Sequence, residues 1–250
     1  MKLRYISDIH LEFIKPNKID KFCKNIKQID PEEVCILAGD IGYPFSENYK
    51  IFMDHISKTF VKSFVICGNH EFYNNNNTMH EIITFLHSFF DSYDNITFLD
   101  NSFEIYNDYT FIGSTLWSKV TNPAYEINDV KKIKYLDYIK YNQLNQHCLD
   151  FLNEQIIKHD NIIMITHHMP SFSLIDEKYK VPGMNNYNQW FASDMDKFIE
   201  DNRNKIQCWI YGHTHTPCFK NINDIQFLCN PIGYPNENSK LDFDKCFDLL

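Results

Sequence analysis

The sequence has few glycines, no long apolar run and no closely spaced pair of cysteines. Only 7 of its 250 residues are glycine, and no segment approaches the ~20 consecutive apolar residues of a membrane-spanning helix. The first residues, Met1-Lys2-Leu3-Arg4, lead directly into a strand-like run without the apolar core of a secretory leader. We therefore expect a cytoplasmic protein. The 8 cysteines form no C-x-x-C pair, so we expect reduced, buried thiols rather than disulfides or a cysteine-rich zinc site.

The chain also lacks an excess of positive charge. It has 24 Lys and Arg residues against 33 Asp and Glu residues, which gives a formal net charge of −9. Proteins that bind duplex nucleic acid hold its phosphates with basic patches, so we expect no strong duplex binding. A small phosphate-ester substrate beside bound cations is compatible with this charge, because divalent ions offset acidic groups locally. The composition specifies no oligomeric state.

What the sequence does contain is a series of five short motifs rich in metal-ligating residues. Each motif follows a short apolar run that is typical of a buried strand. In chain order they are Asp8-Ile9-His10, Gly39-Asp40, Gly68-Asn69-His70-Glu71, Thr166-His167-His168 and Gly212-His213-Thr214-His215. Ligands of open α/β sheets gather beyond the carboxyl ends of the strands. The motifs therefore predict one site that is assembled from the ends of five strands.

The order of strand-like and helical segments predicts an α/β fold. Alternation in the first part of the chain predicts right-handed crossovers and a mostly parallel sheet. Apolar spacing predicts helices over 18–29 and 190–200, and closely spaced strands within 96–112 predict antiparallel pairing. No linker or internal repeat divides the chain, so we expect a single domain over 1–250. Its mixture of parallel and antiparallel segments predicts two sheets packed face to face, with helices outside.

The residue types in the motifs fit a pair of divalent cations. Asp8 and His10 alternate along an extended segment and therefore face the same side, and the same spacing applies to His213 and His215. Asp40 follows a glycine turn, and its carboxylate can bridge two ions about 3.5–4 Å apart. A set of nitrogen and oxygen donors without cysteine suits Mn, Fe, Zn or Ni.

Taken together, the five motifs resemble those of the calcineurin-like metallophosphoesterase superfamily, whose pattern is D-x-H, GD, GNH[ED], a late His and GHxH. The resemblance extends from Asp8 to His215, and the flanking segments Leu37-Ala38-Gly39-Asp40-Ile41-Gly42 and Asn230-Pro231-Ile232-Gly233-Tyr234 share it. It implies a four-layer α/β/β/α sandwich with two mixed β-sheets and with the metals at the edge of the sheets.

The resemblance also implies a role for each matched residue. The expected ligands of one ion are Asp8, His10, Asp40 and His215, and those of the second ion are Asp40, Asn69, His167 and His213. The ligand in the double histidine is expected to be His167 rather than His168, because the family uses the first histidine after the strand. Asp40 and His70 are the expected catalytic residues, with His70 as the general acid and Glu71 as a candidate to orient it.

The implied activity is that of a dinuclear metal-dependent phosphoesterase. The resemblance implies that a hydroxide held by both metals would attack phosphorus in line with the leaving oxygen, and that His70 would protonate that oxygen. We expect a phosphodiesterase acting on a small nucleotide-like substrate, because aromatic residues in the later segments can stack on a base. An insert around 117–147 and a loop at 169–189 are expected to cover the substrate. Candidate substrate-binding residues are His168, Trp117 and Tyr187, although Trp117 and Tyr187 also suit the core.

Other functions remain open at this level. Within the enzyme class, the alternatives are a phosphomonoesterase and a protein phosphatase. In a different class, the chain is a non-catalytic scaffold that binds metals, a hypothesis that loss of ligands would favour; every matched ligand is present. A di-iron redox protein would need Glu-rich helical ligand pairs, and the motifs at strand ends disfavour it.

Overall fold

The computed structural model describes residues 1–73, 76–122, 127–237 and 242–249. The strands are β1 Lys2–Ile6, β2 Val34–Ala38, β3 Lys62–Ile66, β4 Ile96–Phe98, β5 Ser102–Tyr106, β6 Tyr109–Ser114, β7 Ile162–Thr166, β8 Ile206–Ile210, β9 Cys218–Ile222, β10 Ile225–Cys229 and β11 Cys246–Asp248. The α-helices are α1 Ile19–Cys23, α2 Glu47–Thr59, α3 Met79–Phe90, α4 Asn128–Lys132, α5 Tyr138–Lys158, α6 Asn185–Asn188 and α7 Asp196–Asp201. No helix in these ranges is both long and apolar enough to pass through a bilayer.

The described strands form two mixed sheets. The first has the order β11-β1-β2-β3-β4, and the second has the order β5-β6-β7-β8-β10-β9. Strands β1 to β4 are mutually parallel, as are β6, β7, β8 and β10, while β11, β5 and β9 are antiparallel to their neighbours. The carboxyl ends of the central strands of each sheet therefore lie along one edge.

The two sheets pack face to face and carry helices on their outer faces. Phe64 of β3 and Phe111 of β6 stack between the sheets with ring centroids 4.1 Å apart. Alternate strand residues fill this inner layer, as the pleat requires. Helices α2 and α3 cover the first sheet, and α5 covers the second, where Phe198 of α7 also packs against Trp209 of β8. The expected four-layer α/β/β/α sandwich is thus confirmed, and all eight cysteines are free thiols.

Two sequence-based predictions about the strands have different outcomes. The hairpin of β5 and β6 is antiparallel, as expected; its two-residue turn, Asn107-Asp108, has φ of 49° and 65°, as a type I′ turn needs. Antiparallel pairing was the wrong prediction for 96–99, because β4 lies parallel to β3 at the edge of the first sheet. Asn101, at φ 43°, lies where the chain passes from the first sheet to the second.

Two predicted helices are shorter in the structure. The helix predicted over 18–29 is α1 alone, because the backbone after Cys23 continues with i to i+3 hydrogen bonds such as Ile26 N to Cys23 O. The helix predicted over 190–200 is only α7. The backbone N–H of Met169 donates a hydrogen bond to the carbonyl of Phe191, and the carbonyl of Met169 accepts one from the N–H of Ser193. Those backbone groups are therefore not available to a helix.

Candidate metal centre

All five motifs lie at the common edge where the parallel strands of both sheets end. Asp8, Asp40, His213 and His215 have left-handed backbones, with φ of 51°, 54°, 68° and 48°, as does His10. Such conformations cost of order 1–3 kcal/mol each and persist only where surrounding structure fixes them. Backbone hydrogen bonds between the first two motifs do so, from Asp8 N to Gly39 O and from His10 N to Asp40 O.

Gly68 is required where two of the motif loops touch. A Cβ at this position would lie 2.2 Å from Asp40 Oδ1 and 2.6 Å from the ring of His167. Any side chain here would push apart the loops after β2 and β3. The glycine in the third motif therefore allows Asp40 to approach the second set of ligands.

The first ligand group consists of Asp8, His10 and His215, whose donor atoms lie within 4.8 Å of one another. The Nε2 atoms of His10 and His215 are 3.0 Å apart, and His215 Nε2 is 3.4 Å from Asp8 Oδ1. Two imidazole nitrogens and a carboxylate oxygen that point at one another form a binding site for a cation.

The second ligand group consists of Asp40, His167 and His213, within the same 4.8 Å limit. His167 Nε2 lies 3.4 Å from Asp40 Oδ2 and 3.1 Å from Asn69 Oδ1. Asp40 Oδ2 also lies 3.9 Å from His10 Nε2 of the first group. A single carboxylate oxygen of Asp40 is therefore placed between the two groups.

The donor set fits two divalent cations. His213 Nε2 is buried and has no hydrogen-bond partner within the described ranges, a costly state that a bound cation would relieve. The donors combine imidazole nitrogens, carboxylate oxygens and one amide oxygen, which suits borderline divalent metals. Asp8 and Asp40 are fully buried carboxylates, and positive ions beside them would compensate their charge.

The δ nitrogens of the ligand histidines are held by partners outside the ligand groups. Glu12 accepts from His10 Nδ1 at 3.1 Å, and Glu237 accepts from His215 Nδ1 at 2.5 Å. The carbonyl of Ala38 accepts from His167 Nδ1 at 2.9 Å. These bonds fix the tautomer and direct the ε nitrogens inward, as is usual around protein metal sites. Sequence analysis missed Glu12 and Glu237 as site residues.

His70 is oriented by Glu12 and not by Glu71. Its Nδ1 lies 2.9 Å from Glu12 Oε1, and its backbone N–H donates to Asp40 Oδ1 at 2.7 Å. Glu71 instead accepts backbone N–H groups of Ile41 at 2.6 Å and Gly68 at 2.7 Å. Glu71 thus joins the loops after β2 and β3, and burial together with the charge of Asp40 raises its pKa to about 7.

Asp129 of helix α4 is a further buried carboxylate beside the second ligand group. Its Oδ1 accepts from Asn69 Nδ2 at 2.7 Å and also from the hydroxyl of Tyr73. Because the amide nitrogen of Asn69 faces Asp129, the amide oxygen faces His167 and the ligand group. Sequence analysis did not identify Asp129, which lies in the insert around 117–147 that was expected to cover the substrate.

Replacing Asp129 by alanine is expected to weaken binding at the second metal position about 10- to 100-fold, as losses of such supporting hydrogen bonds do. The physical reason is that the Asn69 amide would no longer be held with its oxygen towards the ligands. Titration of the apo protein with Mn²⁺ against a competing chelator measures the change. Asp129→Asn keeps an acceptor and the size of the side chain, so it should recover most of the affinity. Unchanged affinity in Asp129→Ala would contradict this role.

The charges of the two aspartates favour protons on two of the ligand histidines when no metal is bound. Although burial opposes it, the charge and hydrogen bond of Asp40 raise the pKa of His167 to about 10. Burial also lowers the pKa of His215, but the hydrogen bond and the charge of Asp8 outweigh it and raise this pKa to about 9. A cation and these protons therefore compete for the same nitrogens.

Metal affinity is consequently expected to rise steeply between pH 6 and pH 9. Below the raised pKa values of His167 and His215, binding must release protons, and this cost falls as pH increases towards them. Calorimetric titration of apo protein with Mn²⁺ in buffers of different ionisation enthalpy measures the protons released. More than one proton released per two ions at pH 7 is the expected result, and pH-independent affinity would contradict it.

The three candidate substrate-binding residues occupy two different environments. His168 is fully buried, with Nδ1 3.1 Å from Thr115 O and Nε2 3.2 Å from the Tyr141 hydroxyl. Burial lowers its pKa to about 3, and its ring lies 4.2 Å from that of His213. Trp117 is 3% exposed and packs against Tyr141. The structure places both among core side chains, whereas Tyr187 lines a cavity.

That cavity opens directly above both ligand groups and has a volume of about 480 Å³. Its floor includes Asp40, Asn69, His70, His213 and His215. Its walls come from the segments on either side, and the largest of these side chains are Tyr73, Ile127, Ile175, Tyr179, Met184, Tyr187, Phe191 and Tyr234. No Lys or Arg occurs among the described residues that line it.

Comparison with known proteins decides the family. The sequence matches the calcineurin-like phosphoesterase family over residues 1–217. The chain belongs to this family. It is similar to an uncharacterized protein of Acanthamoeba polyphaga mimivirus. The two are 32% identical over an alignment of 273 positions, which covers 96% of this chain and 94% of the relative. The phosphopantetheinyl hydrolase of Mycobacterium tuberculosis has a similar fold, with a TM-score of 0.72 and 16% identity over 95% of this chain and 93% of that one.

As a calcineurin-like phosphoesterase, the protein is a metal-dependent hydrolase of phosphoric esters. The family expectation from the motifs is thereby confirmed. Proteins of this family typically bind a dinuclear metal centre, and the two ligand groups of the described residues are candidates for it.

Proposed function

We propose that this phosphoesterase hydrolyses a small phosphodiester whose organic part occupies the 480 Å³ cavity, with Mn, Fe, Zn or Ni as the native ions. One observation carries the proposal. Two groups of metal ligands form the floor of a cavity that is large enough for an organic group and has aromatic and aliphatic walls. Concave sites of this size, with few polar groups at one end, are typical of small-molecule binding.

The charge of the cavity supports a diester over more highly charged esters. Asp129 and Glu237 line it, and its described lining has no Lys or Arg. Outside the reach of the metal ions, additional negative charges on a substrate would be repelled by these carboxylates. A phosphodiester carries one negative charge at the phosphorus, whereas a monoester or a polyphosphate carries more.

The roles of the residues follow from their positions. When bound, the two ions would supply a nucleophile at neutral pH and neutralise charge on the phosphoryl oxygens. The first ion would be held by Asp8, His10, Asp40 and His215, and the second by Asp40, Asn69, His167 and His213. His70, which lines the cavity floor, is the proposed source of the proton for the leaving oxygen. Tyr187 offers an aromatic face to a base or another flat group.

The decisive experiment is a substrate panel with protein purified without chelator, whose metal content is measured by mass spectrometry. Bis-para-nitrophenyl phosphate and cyclic nucleotides represent diesters, and para-nitrophenyl phosphate and a phosphopeptide represent monoesters. A phosphopantetheinyl ester belongs in the panel, because the structurally similar Mycobacterium tuberculosis protein is named for hydrolysing that group.

We expect kcat/KM to be highest for diesters and activity to be lost with a chelator and restored by Mn²⁺. Higher kcat/KM for monoesters would replace the proposal by a phosphatase. Absence of turnover by protein that holds two ions would favour a non-catalytic scaffold.

A further inference from the structure

Tyr234 lies over the candidate metal centre although it belongs to none of the five ligand motifs. Its ring centroid is 4.6 Å from that of His10 and 4.6 Å from that of His215. Its hydroxyl lies 2.9 Å from His70 Nε2. The side chain also lines the cavity. Tyr234 therefore contacts two histidines of the first ligand group and the general-acid candidate at once.

The backbone around Tyr234 is tied to the metal centre itself. Gly233 N donates to Asp8 O at 2.9 Å, and the φ of Gly233 is +76°, which favours glycine. Tyr234 N donates at 2.8 Å to Glu237 Oε2, the same oxygen that accepts from His215 Nδ1. Phe13 contacts the ring edge-on at 5.6 Å. The phenol is therefore held in place by the same groups that orient the ligands.

This placement leaves His70 with no ring nitrogen open to the cavity. Glu12 occupies Nδ1 at 2.9 Å, and the Tyr234 hydroxyl occupies Nε2. A leaving oxygen that enters the cavity would therefore meet the phenol and not the imidazole. A hydroxyl between two partners can accept a hydrogen bond from one and donate to the other.

We propose that Tyr234 is a catalytic residue that donates a proton to the leaving oxygen, with His70 acting through it; this inference rests on the proposed function. As the bond between phosphorus and the leaving oxygen breaks, the phenol proton moves to that oxygen. The Nε2 proton of His70 moves to the phenol oxygen. His70 is then neutral, with its remaining proton on Nδ1 towards Glu12. No other reactant is needed.

The test compares two diesters with different leaving groups. One is bis-para-nitrophenyl phosphate, whose leaving group needs little protonation, and the other is methyl phenyl phosphate, whose phenolate is a much stronger base. For Tyr234→Phe we expect kcat on the phenyl ester to fall about 100-fold or more, as the loss of a proton donor usually causes. The expected fall on the nitrophenyl ester is several-fold smaller.

Tyr73→Phe is the matched control. Tyr73 also lines the cavity and packs against the His70 ring at 4.1 Å, but its hydroxyl donates to Asp129 and not to His70. Removal of the Tyr73 hydroxyl should change kcat on both diesters by the same factor. For each variant, the ratio of kcat on the two diesters is measured with one preparation. A partial loss of folded or metal-loaded protein therefore cancels from this ratio. Metal content and melting temperature are measured in parallel.

A double mutant adds a second criterion. If the two residues transfer one proton in series, His70→Asn with Tyr234→Phe should be no slower than His70→Asn alone. Equal losses on both diesters in Tyr234→Phe, or independent losses that multiply in the double mutant, would overturn the inference. Failure of the wild-type protein to cleave either diester would instead overturn the proposed function.

Discussion

Asparagine in place of Asp40 is expected to lower kcat/KM on a phosphodiester by about 10³-fold or more, since metal stabilisation of the transition state is worth several kcal/mol. Asp40 is 1% exposed, and its Oδ2 lies between both ligand groups, 3.4 Å from His167 Nε2 and 3.9 Å from His10 Nε2. Asparagine keeps the size of the side chain but removes the charge that two cations would share.

The same variant should also hold fewer ions, which mass spectrometry of the purified protein measures. Asp201→Asn is the matched control, because Asp201 is exposed at the end of α7 and pairs only with Lys197 in the described contacts. Such surface ion pairs contribute about 0–1 kcal/mol, so we expect this variant to keep two ions and normal activity. Two bound ions together with normal activity in Asp40→Asn would contradict the proposed bridge.

Replacing His70 by asparagine is expected to lower kcat about 10²- to 10⁴-fold, as the loss of a general acid usually does, with metal content unchanged. His70 lies at the cavity floor, but its ring nitrogens contact Glu12 and Tyr234 and not the inner ligand atoms. The loss should be largest for esters with basic leaving groups. Steady-state kinetics on the two diesters, with metal analysis, measures both effects.

His147→Asn serves as the control for His70, because His147 is an exposed residue of α5 far along the chain from every ligand motif. This variant should have wild-type kinetics. If His70→Asn lost metal in proportion to its activity, His70 would be a ligand and not the general acid.

The fold and the clustering of the candidate ligands were predictable because each depends on local sequence. The residues of a ligand motif follow their strand directly, so an apolar run ending in Asp8 or in Gly39-Asp40 specifies both the strand and the position of the donor. Parallel pairing then brings the strand ends to one edge. The family resemblance added the grouping of ligands, and the structure places the same residues close together.

The supporting carboxylates were not predictable, because their partners are distant in sequence. Asp129 lies 60 residues after Asn69 and Glu237 lies 22 residues after His215, with no pattern that connects them. Glu71 was assigned to the wrong partner because the 3-10 turn His70–Phe72 directs it inward to backbone N–H groups. Its sequence position beside His70 carries no information about that direction.

Tertiary contacts also explain why local patterns failed elsewhere. The apolar spacing over 190–200 is genuine, but pairing of Met169 with Phe191 and Ser193 breaks the helix there. Trp117 and His168 follow strands as a ligand would, yet both are enclosed around Tyr141 of α5. The cavity walls combine the segments near 127–129 and 169–191, and no property of either segment alone specifies that they meet.

The account depends on two cations that share Asp40, and anomalous diffraction from crystals grown with Mn²⁺ tests this directly. It predicts two anomalous peaks about 3.5–4 Å apart, one among Asp8, His10 and His215 and the other among Asn69, His167 and His213, with an Asp40 oxygen between them. A single peak, or a peak held instead by His10, Glu12 and His70, would contradict it.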